Sequence, residues 1–353
     1  MKNKIQNYCN RSLLIILAGI LLLSCGSSKT NTGKNGKGAI PIIFETDMGN
    51  DVDDAIALDM IYKYLDQGMI DLLGISTNKD NPYSIPFLQI MNKWYGYPAI
   101  PLGKVKNGIN STADAKDYAQ AVYDYQLNGQ YAFRKYAGDS AGVMESVAFY
   151  RKILSGYDGN NIRIVSVGFS TNLSRLLESG PDAYSSLSGV ELVRKKVKSL
   201  YVMAGNFNGK LKAGEYNVIK DSLAARNLFD KWPTPINASP FELGITVLYP
   251  ATSIQNDLNW VDAHPLKVAY EAYLPMPYDR PSWDPTALLD AVEGGSDYFT
   301  LSGSGRISVV ENGRTQFLAD KSGLQRYLLV DSIQSAKIRN RLIELIKTKP
   351  LHH

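Results

Sequence analysis

Cysteine and histidine are rare in this 353-residue chain, and their rarity excludes several classes of site. Cys9 and Cys25 are the only cysteines, and both precede the folded part predicted below, which therefore has no disulfide. The only histidines are His264, His352 and His353, which excludes a zinc site built from several histidines. A Ser-His-Asp triad would depend on His264 alone, and because that residue precedes a proline we expect a structural role for it.

An excess of positive charge is also missing from the folded part, although the whole chain has a formal charge of +4. Residues 1–39 contain six basic side chains and no acidic one, and subtracting these six leaves the remainder at about −2. Nucleic-acid binding depends on a positive surface that attracts phosphates. The sequence therefore predicts no nucleic-acid partner.

The amino terminus is typical of a secretory signal peptide. Basic residues at positions 2, 4 and 11 flank an apolar run at 13–23, which is shorter than the ~20 residues that a membrane-spanning helix needs. The run ends in Leu-Leu-Ser before Cys25, which resembles a bacterial lipobox and implies cleavage after residue 24 and lipid attached to Cys25. Ordinary secretion with an incidental cysteine is the alternative interpretation.

Residues 26–38 contain no apolar side chain large enough to form a core, so we interpret residues 25–38 as a lipidated cysteine followed by a flexible tether. The expected location is the bacterial membrane, with a lipid anchor as the only membrane contact. No acidic residue closely follows Cys25, which favours the periplasmic face over the cell surface.

Apolar runs of strand length alternate with helical patterns from residue 39 onward. Near-continuous apolar strands between helices favour a parallel sheet covered on both faces. The sequence therefore predicts one α/β domain at 39–348 with an open, mostly parallel β-sheet. The predicted strands are 40–46, 70–77, 162–167, 198–203, 235–238, 306–310, 315–319 and 325–330, and the predicted helices are 53–65, 84–95, 141–154, 171–178, 223–231 and 333–346.

Polar side chains follow four of the predicted strands, at residues 47–54, Asn78, 168–172 and 206–217. In open α/β sheets ligands bind beyond the carboxyl ends of the strands, so these clusters predict a site at that edge. Residues 103–140, rich in Asn, Asp, Gly, Tyr and Ala, look like an insertion over the same edge, either a lid or a surface excursion.

The first of these clusters contains five carboxylates, Glu45, Asp47, Asp51, Asp53 and Asp54, within ten residues. Like charges at this spacing repel one another unless a cation lies among them. Because neither Cys nor His is near, the hard oxygen ligands favour Ca²⁺ or Mg²⁺.

Two other interpretations of the cluster fit less well. An EF-hand loop would require its bidentate glutamate at Leu58. An acidic helix amino terminus, favoured by the helix dipole, accounts for Asp53 and Asp54 but for neither Asp47 nor Glu45.

Residues 42–58 resemble the amino-terminal fingerprint of nucleoside hydrolases of the inosine-uridine preferring type. The usual fingerprint is a strand followed by Asp-x-Asp-x-Gly-x-Asp-Asp-Ala. Here Glu45 replaces the first aspartate, and the loop is two residues longer, which adds Asp51. Later segments continue the resemblance, so that it spans residues 40–346: these are 73–78, 165–173, 203–218 and 283–285.

The resemblance implies a bound Ca²⁺ and a ribose site. The predicted metal ligands are Asp47, Asp54, the Val167 carbonyl and Asp284, with Asp51 replacing or supplementing a neighbouring aspartate. Asp47 is also the predicted general base. The predicted substrate-binding residues are Asp53, Asn78, Met203, Asn206, Glu215, Tyr216, Asn217 and Trp283.

Trp283 stands where many family members have a histidine that protonates the leaving base. This resembles the purine-preferring branch, in which a tryptophan stacks on the base and eases its protonation, so Trp283 is the second predicted catalytic residue. The alternative is that Trp283 forms only an apolar wall, since the sequence places no second stacking aromatic near it.

The resemblance thus implies Ca²⁺-dependent hydrolysis of the N-glycosidic bond of purine-leaning ribonucleosides to free base and ribose. A Ca²⁺-stabilised lipoprotein that binds nucleosides or carbohydrates without turnover is an alternative, as is a hydrolase of another ribosyl or glycosyl compound. A purely structural surface protein would not need polar clusters after four strands. The expected partner is a small nucleoside, and assembly into a homo-oligomer is left open.

Overall fold

The structure is a computed structural model that describes residues 38–110, 117–209, 211 and 213–352. The predicted signal peptide, Cys25 and the tether up to residue 37 lie outside the described residues. Within the described ranges, no helix is long and apolar enough to cross a membrane.

The strands of the described chain run in the order β1 Ile40–Thr46, β2 Ile70–Lys79, β3 Leu102–Ile109, β4 Gln126–Leu127, β5 Gln130–Tyr131, β6 Met144–Glu145, β7 Ile162–Val167, β8 Val197–Met203, β9 Ile236–Ser239, β10 Leu248–Tyr249, β11 Arg280–Pro281, β12 Thr300–Leu301, β13 Gly305–Val309, β14 Thr315–Ala319 and β15 Gln325–Leu329. The α-helices are α1 Asp53–Asp66, α2 Ser84–Trp94, α3 Tyr118–Tyr123, α4 Ser146–Gly156, α5 Thr171–Glu178, α6 Gly189–Lys196, α7 Tyr216–Lys220, α8 Ser222–Lys231, α9 Phe241–Gly244, α10 Ala251–Asp257, α11 Pro265–Tyr273, α12 Trp283–Val292 and α13 Ser332–Ile346.

The central sheet has the strand order β14-β13-β15-β9-β8-β7-β1-β2-β3-β6, with β12 paired to β15. From β15 to β6 every neighbouring pair is parallel. Only β13 runs antiparallel to both of its neighbours, and β12 runs antiparallel to β15. The predicted α/β fold with a mostly parallel sheet is confirmed, and its antiparallel part is confined to one end.

Strand β1 shows why the sheet is covered on both faces. Ile42 and Phe44 belong to one buried apolar cluster, and Ile43 belongs to another. Successive side chains of a strand point to opposite faces, so a strand that is apolar throughout needs a core on each side. Helices α1 and α12 contribute to the first cluster, and α4, α5 and α8 to the second.

The predicted insertion at 103–140 is corrected by the structure. Its first residues belong to β3, which pairs in parallel with β2, and the charged Lys104 and Lys106 had obscured the strand pattern. Residues of α3 are buried, and the Tyr118 hydroxyl lies 3.0 Å from the Met48 sulfur, so this helix is part of the core rather than a surface excursion.

The predicted helix 141–154 begins later, at Ser146. Met144 and Glu145 instead form β6 beside β3, and the Glu145 carboxylate accepts hydrogen bonds from the backbone amides of Val147 (2.9 Å) and Ala148 (3.4 Å). Glu145 is therefore the residue that caps α4.

Candidate active site

The loop between β1 and α1 places its carboxylates through contacts with neighbouring strands and helices. Gly49 has φ +95°, and a Cβ there would lie 2.9 Å from an Asp117 oxygen, so only glycine fits. The Lys79 ammonium donates to the Gly49 carbonyl (3.2 Å), and the Ser84 hydroxyl donates to the Met48 carbonyl (2.5 Å). The loop is therefore fixed by side chains from β2 and α2.

Three carboxylates meet at the carboxyl end of the sheet. Asp47, Asp54 and Asp284 each offer an oxygen, and these oxygens lie within 4.8 Å of one another. The Asn50 amide donates to Asp47 Oδ2 (2.9 Å), and the Thr46 hydroxyl donates to Asp54 Oδ1. Asp54 Oδ2 is buried and has no hydrogen-bond partner among the described residues. We call these three residues the carboxylate cluster.

Burial and mutual repulsion make the carboxylate cluster costly to ionise. Burial raises the pKa of Asp47 to about 6, although the nearby Lys79 charge opposes the rise. Burial also raises the pKa values of Asp54 and Asp284 well above their usual range, and the neighbouring carboxylates add to the effect. A buried all-oxygen group with an unpartnered oxygen and unfavourable negative charge fits a hard divalent cation.

Val167 ends β7 next to the carboxylate cluster. The following Gly168 has φ +113°, and a Cβ there would lie 2.7 Å from oxygens of both Asp47 and Asn78. The Val167 carbonyl accepts a weak hydrogen bond from Asn78 Nδ2 at 3.5 Å. The backbone at Gly168 thus lies close to the Asp47 side chain. The role of the Val167 carbonyl as a metal ligand stays a prediction.

Glu45 lies outside the carboxylate cluster, although it replaces the family's first aspartate. It is fully buried and accepts hydrogen bonds from Tyr150, Asn78 (3.1 Å), Ser166 (3.2 Å) and Asn172 (3.4 Å). Burial raises its pKa to about 7 despite these donors. Glu45 therefore organises the side chains behind the site.

A cavity of about 480 Å³ opens beside the carboxylate cluster. It is lined by Asp47, Asn50, Asp51, Asp53, Met203, Glu215, Tyr216, Asn217, Phe241, Tyr273, Leu274, Arg280, Trp283 and Asp284. Most of the predicted site residues therefore line one cavity. Asp54 and Val167 are buried and do not line it.

Two predicted substrate-binding residues do not line this cavity. Asn78 turns its Nδ2 to Glu45, and its buried Oδ1 has no hydrogen-bond partner within the described ranges. Asn206 donates to Glu242 (2.9 Å) and to Asn208 (3.3 Å). The structure thus places the Nδ2 atoms of both side chains in contacts with protein groups.

The structure separates the roles of Asp51 and Asp53. Asp53 Oδ2 accepts hydrogen bonds from the backbone amides of Trp283 (2.8 Å) and Asp284 (3.0 Å), so it caps the first turn of α12. Asp51 is not in the carboxylate cluster: its two oxygens pair with Arg280, one with Nε at 2.8 Å and the other with Nη2. The extra aspartate of the expanded loop is therefore an ion-pair partner.

Glu215 and Asn217 lie together on another part of the wall. The Glu215 carboxylate accepts from the backbone amides of Asn217 (2.8 Å), Gly205 (3.3 Å) and Val218 (3.3 Å). Burial raises its pKa to about 7. The Asn217 amide nitrogen lies 3.4 Å from the Met203 sulfur. The Glu215 carboxylate and the Asn217 amide therefore line the cavity together, where a polar ligand can contact them.

An aromatic corner, formed by Trp283, Phe241 and Tyr273, completes the cavity. The Trp283 and Phe241 rings stack with centroids 5.5 Å apart, and Trp283 Nε1 donates to the Phe241 carbonyl (2.9 Å). The Arg280 guanidinium lies 5.3 Å from the Trp283 ring centroid and 4.9 Å from that of Tyr273.

Sequence reasoning missed Phe241, Tyr273 and Arg280. Phe241 follows the end of β9 by two residues, so the rule that polar and binding residues follow strands could have found it. Nothing in the local pattern marked Tyr273. His264, expected to be structural, is buried against the rings of Trp94 (4.6 Å) and Trp260 (5.6 Å) and does not line the cavity.

The sequence model of the family described as inosine-uridine preferring nucleoside hydrolase matches residues 42–325. The structure resembles the inosine-uridine preferring nucleoside hydrolase from Bacillus anthracis, with a TM-score of 0.65 and 16% identity over 88% of this chain and 100% of that chain. It also resembles the purine-preferring ribonucleoside hydrolase from Gardnerella vaginalis, with a TM-score of 0.62 and 19% identity over 87% and 99% of the two chains. At these identities the structural likeness shows a shared fold. No curated protein matches the chain significantly.

Proposed function

Since the chain belongs to the inosine-uridine preferring nucleoside hydrolase family, and is thus an N-ribosyl hydrolase, we propose that it hydrolyses purine ribonucleosides to base and ribose with bound Ca²⁺. The observation that carries this proposal is the carboxylate cluster, which lies at the wall of a cavity with an aromatic corner.

Asp47, Asp54 and Asp284 would hold the cation. The unpartnered Asp54 Oδ2 and the purely oxygen donor set support a hard ion such as Ca²⁺. When bound, a divalent cation supplies positive charge that polarises water and sugar hydroxyls.

Asp47 is the proposed general base. It faces the cavity, and the Asn50 amide fixes one of its oxygens. Burial raises the pKa of Asp47 to about 6 in the cation-free protein, and a bound cation favours the ionised carboxylate, so Asp47 is unprotonated and able to accept a proton when the cation is bound. We propose that it accepts the proton of the attacking water.

Glu215 and Asn217 are proposed to hold the sugar. Both line the cavity, and the backbone amides that bind Glu215 fix its orientation. Their oxygens accept hydrogen bonds from sugar hydroxyls. Negative charge near the anomeric carbon also favours the cationic, oxocarbenium-like transition state.

The aromatic corner supports the purine preference. The Phe241 ring stacks on that of Trp283, so a second aromatic side chain lies beside the one proposed to stack on the base. Stacking on aromatic side chains contributes about 1–3 kcal/mol per base, and a bicyclic base offers the larger surface.

The test is ribose release by the purified full-length chain from inosine, guanosine, adenosine and uridine, with and without a chelator. We expect release that is fastest for purines, disappears with chelator and returns with Ca²⁺. Asp47→Ala should lower kcat by about 100-fold or more, while Asp230→Ala, an exposed position on α8, should retain full activity. Binding of ribose that depends on Ca²⁺, without any turnover, would favour the non-catalytic alternative.

We also propose export and lipid anchoring through Cys25, on the lipobox-like order of the amino terminus. Cell fractionation should find the chain in membranes, and Cys25→Ser should move it to the soluble fraction. Equal distribution of both proteins would contradict the anchor.

A further inference from the structure

The cavity contains a single cationic side chain among its lining residues, and that residue has no place in the function proposed so far. Arg280 lies beside Trp283, at the end of the cavity where the base would stack. No histidine lines this cavity in the described parts of the chain. The departing base thus lacks the usual proton donor, and a fixed positive charge lies near it.

The guanidinium of Arg280 is held by both polar and aromatic contacts. Nε and Nη2 pair with the two oxygens of Asp51, and Nη2 also donates to the Tyr273 hydroxyl (3.0 Å). The rings of Tyr273 and Trp283 lie 4.9 and 5.3 Å from the guanidinium carbon. Nη1 makes no hydrogen bond with any described residue, although Arg280 is only 18% exposed. One nitrogen with two N–H groups is therefore available to a ligand.

We infer that Arg280 binds the leaving base, donating a charge-assisted hydrogen bond from Nη1 to the oxo oxygen of that base. Asp51 is the positioning residue that holds the guanidinium against the aromatic corner. This inference rests on the proposed function, and it gives the two-residue loop expansion a purpose: it supplies the carboxylate that orients Arg280.

The chemistry balances without a proton from arginine. The oxygen of water forms a bond to the anomeric carbon and transfers a proton to Asp47. The bond from that carbon to the base nitrogen breaks, and its electron pair stays on the base. The resulting anion is stabilised by Arg280 and takes its proton from solvent, while Asp47 returns its proton to solvent.

A donor-only side chain also selects among bases. Guanidinium has no acceptor, so it matches the oxo oxygen of hypoxanthine or guanine and opposes the amino group that adenine carries at the same position. The leaving-group charge also spreads onto an oxo oxygen. The favoured substrates are therefore 6-oxopurine ribonucleosides.

The test compares inosine with p-nitrophenyl β-D-ribofuranoside, whose phenolate leaves without assistance. In Arg280→Met, kcat for inosine should fall roughly 100-fold, while kcat for the nitrophenyl riboside should stay close to that of the unmodified chain. Asp51→Asn should show the same selective loss to a smaller degree. Arg306→Met, which removes a surface arginine paired with Asp320, is the matched control and should change neither substrate.

Binding of the free base gives a second readout. Hypoxanthine should bind Arg280→Met roughly 10- to 100-fold more weakly, while adenine binding should change little. Equal loss on both ribosides, or no loss on inosine, overturns the inference for Arg280. If the unmodified chain cleaves neither riboside, the proposed function itself fails.

Discussion

Neighbouring carboxylates of the loop after β1 have different partners and hence different functions. Asp47 and Asp54 join Asp284 in the carboxylate cluster. Asp53 binds backbone amides of α12, and Asp51 binds Arg280. Residue type alone therefore does not determine which acid holds a cation, because each carboxylate acts according to the donors that face it.

The carboxylate cluster predicts opposite effects of one substitution with and without cation. Asp54→Asn removes a carboxyl group whose ionisation is opposed by burial and by its neighbours, so the cation-free protein should become more stable at pH 7, where the unfolded chain ionises this group. The same change removes a ligand oxygen, so the stabilisation by saturating Ca²⁺ should shrink by at least about 1.4 kcal/mol, a tenfold loss of affinity. Urea unfolding with Ca²⁺ or with chelator measures both effects.

Asp290→Asn is the matched control for this prediction. Asp290 is also a buried aspartate, on α12, and burial raises its pKa to about 6, but its partner is the Asn237 amide and it lies outside the carboxylate cluster. Its variant should keep the full gain from Ca²⁺. An unchanged gain in Asp54→Asn would contradict the assignment of Asp54 as a ligand.

At the scale of helices and strands, the amino termini of α1 and α12 together build the site. Asp53 begins α1, and its carboxylate accepts the first two amides of α12, those of Trp283 and Asp284. These two residues carry the stacking ring and a cluster carboxylate. The Asp53 carboxylate therefore orients both the ring that is proposed to stack on the base and a carboxylate that is proposed to hold the cation.

Loss of this cap should affect both stability and the site. Asp53→Ala should lower the free energy of unfolding by about 1 kcal/mol, and should also weaken Ca²⁺ binding and lower kcat. Asp331→Ala removes the cap of α13, where Asp331 accepts from the Gln334 amide (2.8 Å), and should lower stability alone. Calorimetric Ca²⁺ titration separates the two variants. A rise in KM with unchanged Ca²⁺ affinity in Asp53→Ala would instead indicate that Asp53 acts through the sugar.

The elements that sequence reasoning found are those with strong local patterns. The run 40–46 matches β1, and the helical spacing from residue 53 matches α1, because burial on both faces imposes uninterrupted apolar residues. Strand β3 was missed because Lys104 and Lys106 lie near the sheet edge, where charged side chains reach solvent. The helices that were not predicted, α3, α6, α7 and α9 to α12, have ten residues or fewer, so a helical spacing of apolar residues repeats too few times to be recognised.

At the scale of the whole molecule, the sheet order brings the predicted polar clusters together. Strands β1, β7 and β8 are neighbours, so Asp47, Gly168 and Met203 follow or end adjacent strands at the same edge. That convergence could be predicted from the sequence. The pairing of Asp51 with Arg280, 229 residues apart, could not, because neither position has a local pattern that specifies its partner.

The raised pKa values of the buried acids predict how stability depends on pH. Burial raises the pKa of Asp47 and Asp290 to about 6, and of Glu45 and Glu215 to about 7. The unfolded chain loses these protons near pH 4, so the folded chain binds more protons between about pH 4 and 7. The free energy of unfolding should therefore fall as pH rises through that window when a chelator is present.

A bound cation should reverse part of this trend. Ca²⁺ competes with protons for Asp47, Asp54 and Asp284, so its stabilising effect should grow as the pH rises from 5 to 7.5. Thermal unfolding at each pH, with Ca²⁺ and with chelator, measures the difference. Asp290→Asn should reduce the slope in chelator without altering how the Ca²⁺ gain depends on pH, because Asp290 lies outside the carboxylate cluster. A Ca²⁺ gain that is the same at pH 5 and 7.5 would mean that the cation binds elsewhere than at these buried acids.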